Sequence, residues 1–208
     1  MAGSTESLSR PSLIGQIFAT YRDPRGVIRE QRDRGVGEER VLFYVIAAGL
    51  LIFVARLPGL TRQAGDLGSG VEEIGGIIGS WFLISVIVFA LLWYGIAALA
   101  RLTCRFAGGQ GTGFEARHAL FWATLATTPF LIAAGSVEAS GLVTQQNALS
   151  LAGRYLGLSG LGGLLLLWLW AGCLAELEGF RSQPRVFATI LAVLLGLAGL
   201  ALLAFGQG

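Results

Sequence analysis

Five stretches of this chain stay apolar for about twenty residues, the length a helix needs to cross the hydrocarbon of a bilayer. They cover residues 41–60, 74–100, 116–137, 155–177 and 186–205. Only the first carries a charge well inside it, Arg56, whose long side chain can reach back to an interface. In hydrocarbon an unpaired backbone amide or carbonyl costs several kcal/mol, so each stretch is expected to be a helix. A membrane barrel would show alternating segments of about ten residues, whereas Leu164-Leu165-Leu166-Leu167 does not alternate. Composition agrees. Charged residues are 13% of the chain, about half of what a soluble domain uses to cover itself. The expected fold is all-α: a polytopic bundle of five transmembrane helices with a short cytoplasmic N-terminal amphipathic helix. Residues 1–40 form the tail and 41–206 the membrane domain.

Orientation follows from arginine, because the chain has no lysine. The tail and the loops after spans two and four hold twelve of the 15 basic residues, and the opposite side holds three. Cytoplasmic loops carry the positive excess. The tail is therefore placed in the cytoplasm and the C-terminus in the periplasm, as an odd number of spans requires. No apolar core followed by a cleavage site precedes residue 41, so no removable signal peptide is expected.

Within the tail, Leu13, Ile14, Ile17, Phe18 and Tyr21 recur at helical spacing. Pro11 suits the first turn of that helix. The stripe predicts an amphipathic helix in the membrane interface, with Gln16 and Arg22 towards water. Asp23-Pro24 reads as an N-cap and first position of a second short helix carrying Val27 and Ile28 on one side.

Motifs for catalysis are scarce. His118 is the single histidine, and a boundary histidine is expected at the interface. Cys104 and Cys173 are expected to be packing residues rather than a disulfide, given a reducing cytoplasm. No cofactor and no metal site is expected. Gly111-Thr-Gly113-Phe-Glu-Ala116 matches the loose dinucleotide fingerprint, but no strand precedes it. A turn between helices is the plainer reading, with a lipid head group at the following helix N-terminus as the functional one. Arg101, Arg105, Arg117, Gly109, Gly111 and Gly113 are thus candidate lipid or partner contacts. Glu176 and Glu178 lie at the same depth and are expected to pair with those arginines.

Small residues mark expected helix contacts. They are the Gly75/Gly79 pair, the Gly153/Gly157 pair continued by Gly160 and Gly163, and Gly196 with Gly199. Gly157 and Gly160 are the principal packing candidates, holding the bundle together or pairing two copies. Pro129, after Thr127-Thr128, should kink the third span, the threonines satisfying freed carbonyls.

Some of these residues also carry a resemblance. The segment Tyr21-Arg-Asp-Pro-Arg25 leads into five spans. After the second comes Phe106-Ala-Gly-Gly-Gln-Gly-Thr-Gly-Phe114, and the third carries Trp122 and Thr127-Thr128-Pro129. Over residues 10–206 this resembles the bacterial branch of the Yip (Ypt-interacting protein) domain family of integral membrane proteins. The resemblance implies an all-helical, non-enzymatic membrane protein and supplies no catalytic or ligand residues. The expectation is a multi-pass inner-membrane scaffold or accessory that contacts membrane lipids and a membrane or cytoplasmic protein. No nucleic-acid partner is expected at a net charge of +2, and a homo-oligomer is allowed. The rival is a small transporter or channel with a polar path past Thr124, Thr128 and Ser159.

Overall fold

A computed structural model describes residues 12–66, 70–139 and 158–205. Among the described residues there are helices and no strand. The tail folds into α1 (Leu13–Arg22) and α2 (Pro24–Asp33). Ser12 caps α1 by accepting from the Gly15 amide at 3.1 Å. Asp23 caps α2 through the Gly26 amide at 2.8 Å, with Pro24 at the first helical position. Then come α3 (Glu38–Asp66), α4 (Val71–Leu83), a π-helical turn (Ile84–Val88), α5 (Phe89–Phe106), α6 (Gly113–Ala139), α7 (Leu158–Leu177) and α8 (Gln183–Phe205). The π turn joins α4 and α5 into one long rod.

Three of these helical segments are long and apolar enough to cross a membrane: Glu38–Pro58, Glu72–Phe106 and Gly160–Leu177. They fall on the first, second and fourth expected spans. The fifth expected span lies in α8, which runs from Gln183 to Phe205. The third lies in α6, which is 27 residues long. Helix α6 is the hub, packed by α3, α5, α7 and α1. Its residues 118–128 are all buried, so it needs side chains that fit neighbours, not lipid.

The core gathers at the arginine-rich end of the bundle. Trp122, Phe121, Tyr44 and Ile28 are fully buried there. Tyr44 meets the Trp122 ring edge-on at 5.0 Å between centroids. The outside is the reverse of a soluble protein. Phe43, Leu83, Leu91, Leu99 and Leu195 stand exposed on α3, α4, α5 and α8, an exterior suited to hydrocarbon.

The expected tail stripe is divided. Ile17 is buried and Leu13 and Tyr21 are half-buried, while Ile14 and Phe18 are 66% and 61% exposed. Gln16, expected to face water, is buried instead. Its amide finds a partner inside: the Gln31 amide donates to Gln16 Oε1 at 3.0 Å. Helix α1 lies on α2 and α6, and docking on a partly polar seam explains the reversal.

Several glycines expected at helix contacts face open space. An added Cβ at Gly75, Gly79, Gly163, Gly196 or Gly199 would meet nothing within 4 Å. Gly160 is half-buried, and Gly157 and Gly153 lie outside the described residues. The tight approaches are at Gly49, Gly162 and Gly172. A Cβ on Gly49 would strike the Ser85 carbonyl of the π turn, and one on Gly172 would come 2.7 Å from Pro24 Cγ. Pro129 is exposed on α6. The nearby threonines donate to Ala123 and Thr124 carbonyls at 2.8 and 2.9 Å. These are not the Leu125 carbonyl that a proline at 129 leaves without its amide donor.

Candidate functional site at the arginine-rich end

Two helix ends meet here, and each stops the same way. Helix α5 ends with the Gly109 amide donating to Cys104 O at 2.8 Å and the Gly108 amide to Arg105 O at 3.2 Å. Helix α7 ends with Phe180 donating to Ala175 O at 2.8 Å and Gly179 to Glu176 O at 3.4 Å. Both are Schellman closures, and both need a left-handed residue. Gly108 has φ +84° and Gly179 φ +78°, so glycine is required at each. The Gln110 amide then donates to Glu178 O at 3.2 Å and ties the two ends together.

Into this junction points the side chain of Glu178, which has no exposed surface. Its Oε2 accepts from the Gly111 amide at 2.9 Å and from Arg101 Nη1 at 2.8 Å. Its Oε1 is buried with no hydrogen-bond partner. A Cβ on Gly109 would fall 2.5 Å from Glu178 Oε2, and one on Gly111 2.7 Å from its Cδ. The glycines are bare because a carboxylate fills the space a methyl would need. Burial pushes the Glu178 carboxyl above the usual carboxylate range, outweighing the Gly111 amide and the Arg101 charge that pull it down.

The glycine loop therefore already holds an anion, and that anion is the protein's own. The start of α6 is likewise closed by a capping box. The Thr112 amide donates to Glu115 Oε2 at 2.7 Å and the Glu115 amide to Thr112 Oγ1 at 3.2 Å. The Thr112-x-x-Glu115 spacing is readable in the sequence, where the glycines beside it draw the eye to a nucleotide fingerprint instead.

The other expected contact residues part company. Arg117 Nη2 pairs with Glu38 Oε1 at 2.7 Å, its guanidinium 5.6 Å above the Tyr94 ring. Gly113 touches nothing that a Cβ would meet within 4 Å. Arg105 is exposed and makes no ion pair among the described residues.

Glu176 is claimed from the tail. Arg25 Nε and Arg29 Nε reach its two oxygens at 2.9 and 2.6 Å. Arg25 also donates to Phe180 O at 3.0 Å and Arg181 O at 3.1 Å. A third link runs through the core. His118 Nε2 and Gln31 Oε1 are 2.8 Å apart, Trp122 Nε1 donates to Thr20 Oγ1 at 3.1 Å, and the Tyr21 hydroxyl donates to Ala126 O at 2.5 Å. His118 is thus 1% exposed, not interfacial. An imidazole with a buried amide partner and aromatic neighbours needs no water. Cys104 and Cys173 are free and buried, and no group of three potential metal ligands exists among the described residues.

The model of one protein family, described as the Yip1 domain, matches residues 18–203. No curated protein and no solved structure matches.

Proposed function

The chain belongs to the Yip1 domain family, and on that premise we propose that it is a five-span protein of a bacterial inner membrane. It has no catalytic activity of its own and acts as a scaffold or accessory through protein and lipid contacts. The carrying observation is how the polar groups at the arginine-rich end are used. Arg25, Arg29, Arg101 and Arg117 all pair with carboxylates of other segments. Polar chemistry there goes into holding the tail and loops in one shape, a platform rather than a reaction centre.

The arginine asymmetry supports a cytoplasmic tail and a periplasmic C-terminus. Helices α6 and α8 have 27 and 23 residues, about 40 and 34 Å at 1.5 Å per residue, against a hydrocarbon thickness of about 30 Å. Ile14 and Phe18 supply an exposed apolar patch on the docked tail, suited to a partner protein or the membrane interface. The transporter reading gains nothing from Thr124 and Thr128, whose hydroxyls donate to carbonyls of their own helix.

The test is crosslinking in intact membranes, then purification of the full chain in mild detergent and identification of what is attached. The wild type should hold a defined protein set that the Ile14→Ser/Phe18→Ser variant loses while keeping its melting temperature. Solute flux through vesicles carrying the purified protein would overturn the scaffold reading in favour of transport.

A further inference from the structure

Between α5 and α8 runs a groove of about 410 Å³. Leu99, Ala100, Leu174, Ile190 and Leu194 line it, so its walls are hydrocarbon. From Ser182 to Leu194 it follows α8 for about 18 Å at 1.5 Å per residue. Half of a bilayer's hydrocarbon is about 15 Å. The groove is therefore about one leaflet deep.

Its two ends differ in charge. At the arginine-rich end Arg181 and Arg185 line it, both exposed, and neither side chain has an acidic partner. Every other arginine described at that end is paired, apart from Arg22, Arg40 and Arg105, which do not line the groove. The first amides of α8 start beside them, adding the positive end of a 23-residue helix. Lower down the ring of Trp170, 6% exposed, closes the wall. An apolar slot with two arginines free of acidic partners at its mouth fits one kind of occupant.

We propose that this groove binds an anionic glycerophospholipid, one acyl chain between α5 and α8 and the phosphate on Arg181 and Arg185. The site rests on the reading that the chain spans a bilayer with this end at an interface. It differs from the glycine loop, whose anion position Glu178 fills. Two juxtamembrane arginines favour an anionic over a zwitterionic lipid by about thirtyfold.

The test uses the full chain in mild detergent and native mass spectrometry with phosphatidylglycerol and phosphatidylcholine of identical chains. One phosphatidylglycerol should be retained per protein, and phosphatidylcholine about thirtyfold more weakly. Arg181→Gln/Arg185→Gln should erase that preference, and Arg32→Gln, at the same end but off the groove, should keep it. Ile190→Trp should fill the slot and lower retention of both lipids. Melting temperatures near wild type establish that these variants are folded. If Ile190→Trp misfolds, Val193→Trp at a 41% exposed wall position takes its place. Equal retention of the two lipids, or a preference that survives the double arginine variant, overturns the site. So does displacement of phosphatidylglycerol by millimolar inorganic phosphate alone, which would make the arginines a plain anion patch. So does a groove stably filled by a co-purifying protein helix. The spanning topology is read separately by reporter fusions. Failure of those fusions sinks the membrane reading, whereas failure here sinks only the lipid site.

Discussion

Glu178 shows how one side chain decides the shape of a loop. Its carboxylate stands where a methyl on Gly109 or Gly111 would go. Gly111→Ala should therefore lower stability by about 1–3 kcal/mol, the usual penalty for overpacking, measured as a melting shift in detergent. Gly113→Ala, which meets no neighbour within 4 Å, should change it far less. The carboxyl also gives a pH signature. Its folded value is raised by burial, so the folded protein holds this proton to higher pH than the unfolded chain does. Stability from this group is full below the ordinary carboxylate value and falls as pH rises through the folded one. Glu178→Gln has no such proton. The melting temperature of wild type minus that of Glu178→Gln should decrease as pH climbs through and just above the carboxylate range. A difference that grows with pH would mean that the Arg101 pairing outweighs burial.

Helices were far more legible than their contacts. The apolar runs and the Asp23-Pro24 start are local signals, and α2, α3 and the α4–α5 rod lie where periodicity and capping put them. Which glycines meet another helix is a tertiary fact. Gly75 and Gly79 have the small-residue spacing and face nothing. Gly49 has no such spacing, yet a Cβ there would strike the Ser85 carbonyl in the π turn. A π turn has no dependable sequence mark, so this approach was not readable in advance. Gly49→Ala should accordingly cost about 1–3 kcal/mol, against about 0.5 kcal/mol or less for Gly75→Ala, in thermal unfolding of the detergent-solubilised protein. The tail stripe was half legible for a related reason. Periodicity located α1, but Gln16 and Thr20 are buried because α2 and α6 offer them partners, which hydrophobicity alone does not reveal. Glu176→Gln should weaken the hold of Arg25 and Arg29. Hydrogen exchange should then rise across Leu13–Asp33 and stay at wild-type levels in α6. Equal exchange in both proteins would leave the hydrophobic seat of Ile17 and Ile28 as the true anchor.

At the scale of the whole molecule, the protein is asymmetric from end to end. One end holds most of the arginines, the aromatic core and the tail; the rest presents mainly apolar surface. Such a body has a preferred way up in a bilayer. A reporter active only in the periplasm should work when fused after Gly208 and stay silent on a chain cut at Gly109. The opposite pattern would invert the orientation, placing the lipid groove in the outer leaflet of that membrane.

The clamp on Glu176 also has a consequence in time. Arg25 and its carboxylate are 151 positions apart, and the Tyr21 hydroxyl waits 105 positions for its carbonyl. At roughly 5–20 residues per second, the ribosome delivers Glu176 about 8–30 s after Arg25. Throughout that interval Arg25 and Arg29 lack their carboxylate and remain wet, although the α6 partners of α1 emerge earlier. Closure of the arginine clamp is then a late act of biogenesis, and a protease that cuts only open tails would distinguish early nascent chains from finished ones.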